Sequence, residues 1–524
     1  MARALSARGG RFALATPHVA ATEAGLAAFA EGGNAVDAAL AAATTLAVVY
    51  PHACGVGGDL FALVEEPEGR TIAVNASGAA PQGVDVEAVR RRHGDVPERG
   101  ALSVTVPGAV SGWALLADRW SRLGLPRALA PAIRAARSGV GASRALVEAL
   151  EREAAAFSAD PGIAELFYPD GRPLVEGETF VQTALADTLE DLAELGPSAL
   201  YGGPVGRRLA GALREAGSPM TLEDLAVHTP EVDSPLTGRY RDLHVSVPPP
   251  NSQGFVLLEI LAAIERLGVD PDPLGSDAPI LAEVFASTAA DRDRHNADPR
   301  FARVPVGTLL DEGHIGGLVE QVRDREAEGP AAHRGGDTIA LVAADAEGWS
   351  VSLVQSLWDA FGAAFLEPST GIALHNRGSA FVLDPTHPNV LAGGKRPAHT
   401  LTPVLVHRDG RLAAVSGSRG GGGQPQINAM SIVRAFDLGM DVAAVLDAPR
   451  WLVGGMDLRA GRWIEAESRV PLAVADAMGR HGFDVRPLEA YDGAVGHAHL
   501  IHVAADGSFE VATDPRADGA AAAV

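Results

Sequence analysis

Two short stretches carry the residue types of an acyl-transfer site. The first is Gly335-Gly336-Asp337-Thr338, where a polar linker meets an apolar run. A threonine hydroxyl is a poor nucleophile at neutral pH. It gains a base of its own when the chain is cut just before it, because the freed α-amine then lies beside the hydroxyl. The Asp337–Thr338 bond is thus a candidate self-cleavage site and Thr338 a candidate nucleophile. Taken alone, a threonine opening a strand after two glycines reflects only β propensity. The second stretch, Gly417-Ser418-Arg419-Gly420-Gly421-Gly422-Gly423, follows an apolar run. Its backbone N–H groups, unobstructed by side chains, suit an oxyanion. It lacks the Gly-Lys-Ser/Thr of a nucleotide-binding P-loop. Gly55-Val56-Gly57-Gly58-Asp59 is too compact for a dinucleotide fingerprint. Either loop alone reads equally well as a tight turn.

The surrounding elements place these stretches. Thr338-Ile-Ala-Leu-Val-Ala-Ala reads as a buried strand, Asp345-Ala-Glu-Gly348 as a turn, and Trp349-Ser-Val-Ser-Leu-Val-Gln alternates strictly. This predicts a hairpin whose first strand begins at Thr338. A second hairpin is expected at 403–415, turning at Arg408-Asp409-Gly410. Helices are expected over 22–48 (two, around Gly32-Gly33), 126–155, 181–216, 252–267 and 427–446. The Glu- and Arg-rich stretch 311–337 reads as exposed and flexible. The part after Thr338 is therefore sheet and helix in layers, a sandwich by pattern.

Composition bounds the rest. The 524 residues are 47% hydrophobic and 21% charged, the profile of a soluble globular chain rather than a disordered one. A net charge of −23 argues against nucleic acid and anionic membrane as partners. Cys54 is the only cysteine, so no intrachain disulfide can form, which fits a reducing compartment. The first residues have arginines but no continuous apolar core, so no secretory signal is read, and the expected location is the cytoplasm. The longest apolar run, 38–50, is too short to span a bilayer and predicts a buried helix. Lys395 is the only lysine among 43 basic residues. That excess of arginine is what genome base composition produces.

A dozen motifs in order make the chain resemble the gamma-glutamyltransferase family over nearly its full length. They are ATEAGLAAFAEGGNAVDAALA (21–41), GVGGDLF (55–61), VPGAVSGW (106–113), LEDLAVHTPEV (222–232), PPPNSQG (248–254) and DRDRHNADPRF (291–301) before the junction. After it come GDT (336–338), TGIALHNR (370–377), GKRPAHTLTP (394–403), the Gly-rich loop, DAPRW (447–451) and DPRADGAA (514–521). The resemblance implies an α+β fold, the four-layer αββα sandwich of N-terminal-nucleophile hydrolases. It also implies a precursor that cleaves itself into a large subunit, 1–337, and a small subunit, 338–524, which stay together as one interlocked unit. Carried over, Thr338 is the nucleophile, with its amine as base, and Gly420 and Gly421 form the oxyanion hole. No cofactor and no metal is implied.

Departures from the family pattern bear on substrate. Members that bind a γ-glutamyl group hold its α-carboxylate with an arginine, which here is Ser77, and its α-amine with an acidic residue, which here is Ala380. Their serine pair becomes His399-Thr400, and the second threonine after the nucleophile's position becomes Ile339. Both charge partners of a glutamyl head group are missing, a loss on the order of 2–5 kcal/mol for each ion pair. The replacements resemble the oxamate amidohydrolase branch: Asn376-Arg377-Gly378-Ser379-Ala380-Phe381, His387-Pro-Asn389, Lys395-Arg396-Pro-Ala-His399-Thr400-Leu401 and Gln424-Pro-Gln426. In oxamate the carboxylate is bonded directly to the scissile carbonyl, so its anchor must sit close to the nucleophile. Arg377 is the candidate, with a structural arginine as the alternative. Ser356, at the end of the predicted hairpin, and His399 and Thr400 complete the candidate substrate-binding set.

Among the remaining histidines, His52 and His18 flank family motifs and could line the pocket. His497, His499 and His502 lie near one another but lack a carboxylate or cysteine at ligand spacing. The expected function is hydrolysis of a small non-glutamyl amide of the oxamate kind. The alternatives are a true gamma-glutamyl transpeptidase or glutathione hydrolase, an acylase for bulkier amides, and a processed binding protein without activity. Expected partners are the amide substrate and the two subunits, with a homo-oligomer of the processed heterodimer also open.

Overall fold

The apolar run that opens at Thr338 lies at the centre of a sheet. A computed structural model describes residues 4–324, 336–456 and 462–524. Fourteen strands form two seven-stranded sheets, and they are numbered here along the chain. They are β1 (Ser6–Gly9), β2 (Phe12–Thr16), β3 (Asp59–Glu65), β4 (Thr71–Ala76), β5 (Glu231–Asp233), β6 (Leu236–Tyr240) and β7 (Leu243–Val247). After the junction come β8 (Asp337–Asp345), β9 (Ser350–Trp358), β10 (Val404–Arg408), β11 (Arg411–Arg419), β12 (His497–Val503), β13 (Phe509–Thr513) and β14 (Ala520–Ala523). One sheet runs β1-β13-β12-β11-β10-β7-β6 and the other β14-β2-β8-β9-β3-β4-β5.

The sheets face each other. Ala13, Leu63, Val342 and Ala344 of one sheet share a core with Leu405, Val415, Ile501 and Val511 of the other. Helices cover the two outer faces. On the β8 side lie α1 (Val19–Ala30), α2 (Ala35–Val49), α3 (Ala109–Trp120) and α4 (Leu125–Ser138). Leu40, Leu46 and Trp113 pack there against Leu60, Leu341 and Leu353. On the β11 side lie α5 (Gly254–Leu267), α6 (Ala278–His295), α7 (Glu312–Asp324) and α8 (Gln424–Phe436). Phe255, Leu281 and Met430 pack there against Val245, Val406 and Leu500. Helix, sheet, sheet, helix is the expected αββα order.

Local chemistry explains the starts. Asn34 caps α2, accepting from the N–H groups of Val36 and Asp37, and Asp37 returns a bond to the Asn34 N–H. All of α2 is buried; it is apolar apart from Asp37, in the cap, and Thr44 and Thr45, whose hydroxyls donate to backbone carbonyls.

Several expectations need correction. The stretch 427–446 is not one helix: α8 ends at Phe436 and a second helix spans Val442–Asp447, with Gly439 at φ 64° between them. The stretch 126–155 breaks after Ser138 and resumes at Arg144–Arg152, and 181–216 divides into Thr183–Leu195 and Pro204–Glu215. Residues 312–324 are not exposed coil but the helix α7, which buries Ile315, Leu318, Val319 and Val322. Residues 325–335 of the same expectation lie outside the described residues. Strand β9 is buried at every position, so its alternation does not mark a solvated face. Ser352 turns toward the other sheet, where its Oγ donates to the Ser416 carbonyl at 2.7 Å.

Candidate active site

Thr338 is 1% exposed, on a strand flanked by β2 and β9. Pairing of β8 with β9 is regular from Ile339, opposite Gln355, onward, and slips before it, where Asp337 faces Trp358. The extra residue lies on β9, where Ser356 and Leu357 together stand opposite Thr338. The Thr338 hydroxyl meets Ser356 Oγ at 2.9 Å. Ser356 Oγ donates to the Asp337 carbonyl at 2.7 Å and accepts from the Trp358 N–H at 2.8 Å. A serine hydroxyl has one proton. With that proton on the Asp337 carbonyl, the shared proton must come from Thr338. Ser356 therefore holds the Thr338 hydroxyl as an acceptor while polarising the carbonyl that precedes it.

The Gly-rich loop adjoins this bond. A Cβ added to Gly336 would stand 3.5 Å from the Gly421 nitrogen. Gly420 (φ 157°, ψ 13°) and Gly421 (φ 50°) lie between β11 and α8. A side chain on Gly420 would strike Ile427 Cδ1 at 2.4 Å. The loop is held from outside. Gln253 Nε2 donates to the carbonyls of Gly421 and Thr400, both at 2.9 Å, and Arg292 Nη1 donates to that of Gly422 at 3.1 Å. The Gly422 N–H donates to the Met456 carbonyl and the Gly423 N–H to that of Gly420. Arg419, just before the loop, pairs with Asp337 at 3.1 Å and reaches the Gly336 carbonyl at 3.4 Å. Sequence analysis missed Arg419, because only tertiary contact places it beside Asp337 and the bond to Thr338.

Arg377 is 1% exposed. Its guanidinium lies 3.8 Å from the Trp358 ring centre, and Nη1 donates to Thr400 Oγ1 at 3.2 Å. Among the described residues Nη2 has no hydrogen-bond partner. Burial pulls its pKa down to about 9, against the pull of Asp59 and Asp359, so it stays charged at neutral pH. Trp358 links it to Thr338, since Trp358 faces Asp337 and bonds Ser356.

His399 spends both ring nitrogens on groups other than Thr338. Its Nε2 meets Asp59 Oδ2 at 3.1 Å, and Nδ1 accepts from the Leu401 N–H at 3.4 Å. The proton thus sits on Nε2, and both ring nitrogens are engaged. Burial, then Arg377, lowers the pKa to about 3, so the ring is neutral. Asp59 also lies 3.5 Å from His375 Nδ1 and accepts from the Gly78 N–H. Burial pushes the Asp59 carboxyl up, but His375, His399 and Arg377 together bring it below its ordinary value. Thr400 supports Arg377. Ser77 is buried among Asn75 and Asn251, and the Ala380 carbonyl takes a bond from Asn389.

His52 is buried with both ring nitrogens unpartnered among the described residues, in the field of Asp337 and Arg419, and burial lowers its pKa to about 4. His18 caps α1 instead. His497 and His499 are buried on β12. His499 Nδ1 meets Thr513 Oγ1 at 3.0 Å. A different group, Glu259, Asp291 and His314, brings ligand atoms within 4.8 Å of one another, a grouping across three helices that spacing along the chain could not reveal.

The chain is similar to known proteins over nearly its whole length. The gamma-glutamyltranspeptidase family model matches residues 21–524. The oxamate amidohydrolase proenzyme of Klebsiella pneumoniae is 38% identical, covering 97% of each chain. The glutathione hydrolase-like YwrD proenzyme of Bacillus subtilis is 36% identical, covering 97% of this chain and 98% of its own. The cephalosporin acylase from Bacillus halodurans superposes with a TM-score of 0.91 at 32% identity, over 100% of this chain and 98% of its own. No described helix is long and apolar enough to cross a membrane. By its matched length, its fold and these relatives, the chain belongs to the gamma-glutamyltranspeptidase family and is an N-terminal-nucleophile amidohydrolase or acylase.

Proposed function

We propose that the chain cuts itself between Asp337 and Thr338, and that the freed Thr338 then hydrolyses a small, non-glutamyl amide bearing a carboxylate near the scissile carbonyl. The Thr338 hydroxyl attacks, its α-amine takes the proton, and the N–H groups of Gly420 and Gly421 receive the oxyanion. The amine of the substrate leaves, and water releases the acid from the threonine ester. The carrying observation is Arg377, a buried cation on Trp358 with one nitrogen unpartnered. A buried guanidinium N–H without a partner is costly, and a substrate carboxylate supplies one.

Ser77 and Ala380 offer no charge to a glutamyl carboxylate or amine, which disfavours the glutathione-hydrolase reading despite the YwrD-like relative. The oxamate amidohydrolase relative fits better. Pieces 1–337 and 338–524 would remain one heterodimer, and Cys54, buried and alone, suits the cytoplasm. The test is ammonia release from a panel of small amides, oxamate included, with a γ-glutamyl anilide alongside. Turnover of oxamate with little of the anilide is expected. Efficient cleavage of the anilide and none of oxamate would reverse the assignment.

A further inference from the structure

We propose that Arg419 is a second carboxylate anchor of the acyl site, one that suits the enzyme to monoamides of four-carbon dicarboxylic acids, with succinamate the simplest. This rests on the reading of Thr338 as a self-cleaving nucleophile. In self-cleavage the Thr338 oxygen bonds to the Asp337 carbonyl carbon and the peptide C–N bond breaks. The proton lost by the hydroxyl ends on the Thr338 nitrogen, and Asp337 becomes an ester on Oγ1. Water hydrolyses that ester to the Asp337 carboxylic acid and the free hydroxyl. Turnover of an external amide forms the same kind of ester on the same oxygen. The groups that hold Asp337 therefore mark where an external acyl group lies.

The acyl group of Asp337 is a substituted succinyl group, with its side-chain carboxylate on the fourth carbon counted from the acyl carbon. Arg419 Nη2 holds that carboxylate at 3.1 Å, and Nε reaches the Gly336 carbonyl at 3.4 Å. Both contacts are to residues on the departing side of the cut, so cleavage and withdrawal of that end leave Arg419 without them. The Arg419 side chain is 9% exposed, a setting in which a charge needs a counter-charge. Unpartnered polar atoms lie near it. Among the described residues, Tyr50 Oη, both ring nitrogens of His52 and His497 Nε2, all in its electrostatic field, lack hydrogen bonds. A Cβ added to Gly493 would touch both His497 Nε2, at 3.4 Å, and Arg419 Nη1, at 3.9 Å, so these two side chains adjoin. This buried polar lining is separate from Arg377, which stacks on Trp358 and bonds Thr400. Two cations thus serve carboxylates at two distances from the reacting carbon.

The test uses processed wild-type enzyme and ammonia release from oxamate, malonamate, succinamate and butyramide. Succinamate should exceed malonamate and butyramide by at least tenfold in kcat/KM. Turnover of oxamate with succinamate no better than butyramide overturns the proposal and leaves the amidohydrolase reading standing. If no amide in the series is cleaved, both fall. In Arg419→Met, with processing checked on a denaturing gel, the succinamate-to-oxamate ratio of kcat/KM should drop at least tenfold, and an unchanged ratio overturns the proposal. Because this variant can fail to process, wild-type inhibition supplies a second readout. Succinate should compete with a Ki at least tenfold below that of butyrate, and equal inhibition overturns the proposal.

Discussion

At the scale of single residues, Ser356 decides how the Thr338 hydroxyl is presented. Its one proton is committed to the Asp337 carbonyl, so it must accept the proton of Thr338. The same hydroxyl of Thr338 is read as serving both self-cleavage and turnover. Thr338→Ala should abolish both, giving a single intact band and no ammonia release, whereas Thr338→Ser should keep a measurable part of each. Full activity in the alanine variant would remove Thr338 from the mechanism. Arg377 differs in role, since processing needs no external carboxylate. Arg377→Ala should cost roughly 2–4 kcal/mol in kcat/KM for a carboxylate-bearing amide, chiefly through KM, and leave the gel pattern of processing intact. Loss of processing together with turnover would mark Arg377 as a packing residue over Trp358 instead.

At the scale of elements, the two sheets meet over buried polar groups as well as apolar ones. On β12, His499 is buried against Thr513 of β13. Burial lowers its pKa from 6.5 to about 4, against the pull of Asp514. The folded value thus lies below the unfolded one. As pH falls from about 6.5 toward 4, the unfolded chain takes up a proton that the folded chain refuses, and stability is lost through that window. His499→Gln keeps a partner for Thr513 and removes the titration. The stability difference between wild type and variant should therefore move against the wild type by up to about 1.4 kcal/mol per pH unit across this window. Denaturant midpoints at pH 7 and pH 5 measure it, and parallel curves would show that His499 does not titrate this way. The same scale explains the bulge opposite Thr338. Strand β8 is held by β2 and β9 beyond that point, so irregular pairing is confined to the end that carries Thr338.

At the scale of the whole molecule, the cut before Thr338 would not divide the fold. Strands β8 and β9 are flanked in their sheet by β2 and β3, and β10 and β11 pair onward to β7 and β12. Both sheets thus interleave strands from either side of the junction, and both outer cores draw on both sides. Purified protein should show two bands on a denaturing gel, with the smaller beginning Thr-Ile-Ala-Leu on N-terminal sequencing. The two pieces should co-elute on size exclusion without denaturant and separate only in its presence. Elution as separate pieces in native buffer would contradict the interleaved sheets.

The hairpin opening at Thr338, the Ala-rich helix pair after Thr22 and the glycine loop were all legible in the chain, because periodicity and turn residues are local properties. The αββα order and the family came from ordered motifs, each short and local too. Even the departures at Ser77 and Ala380 are single letters against a pattern. The helix over 427–446 misled because apolar spacing continues across Gly439, whose positive φ breaks the helix. The alternation over β9 reports two unlike faces, not which of them is wet, and both are buried. His399 shows the deeper limit. Its neighbours in the chain place it beside the site, yet Asp59, 340 positions away, claims its proton-bearing nitrogen. Arg419 is legible only as a basic residue before glycines until folding sets it against Asp337. Hydrogen bonds and ion pairs act over a few ångströms between residues far apart in the chain. Which residue types could do the chemistry is therefore written locally, and which of them meet, and in what protonation state, is set by long-range packing.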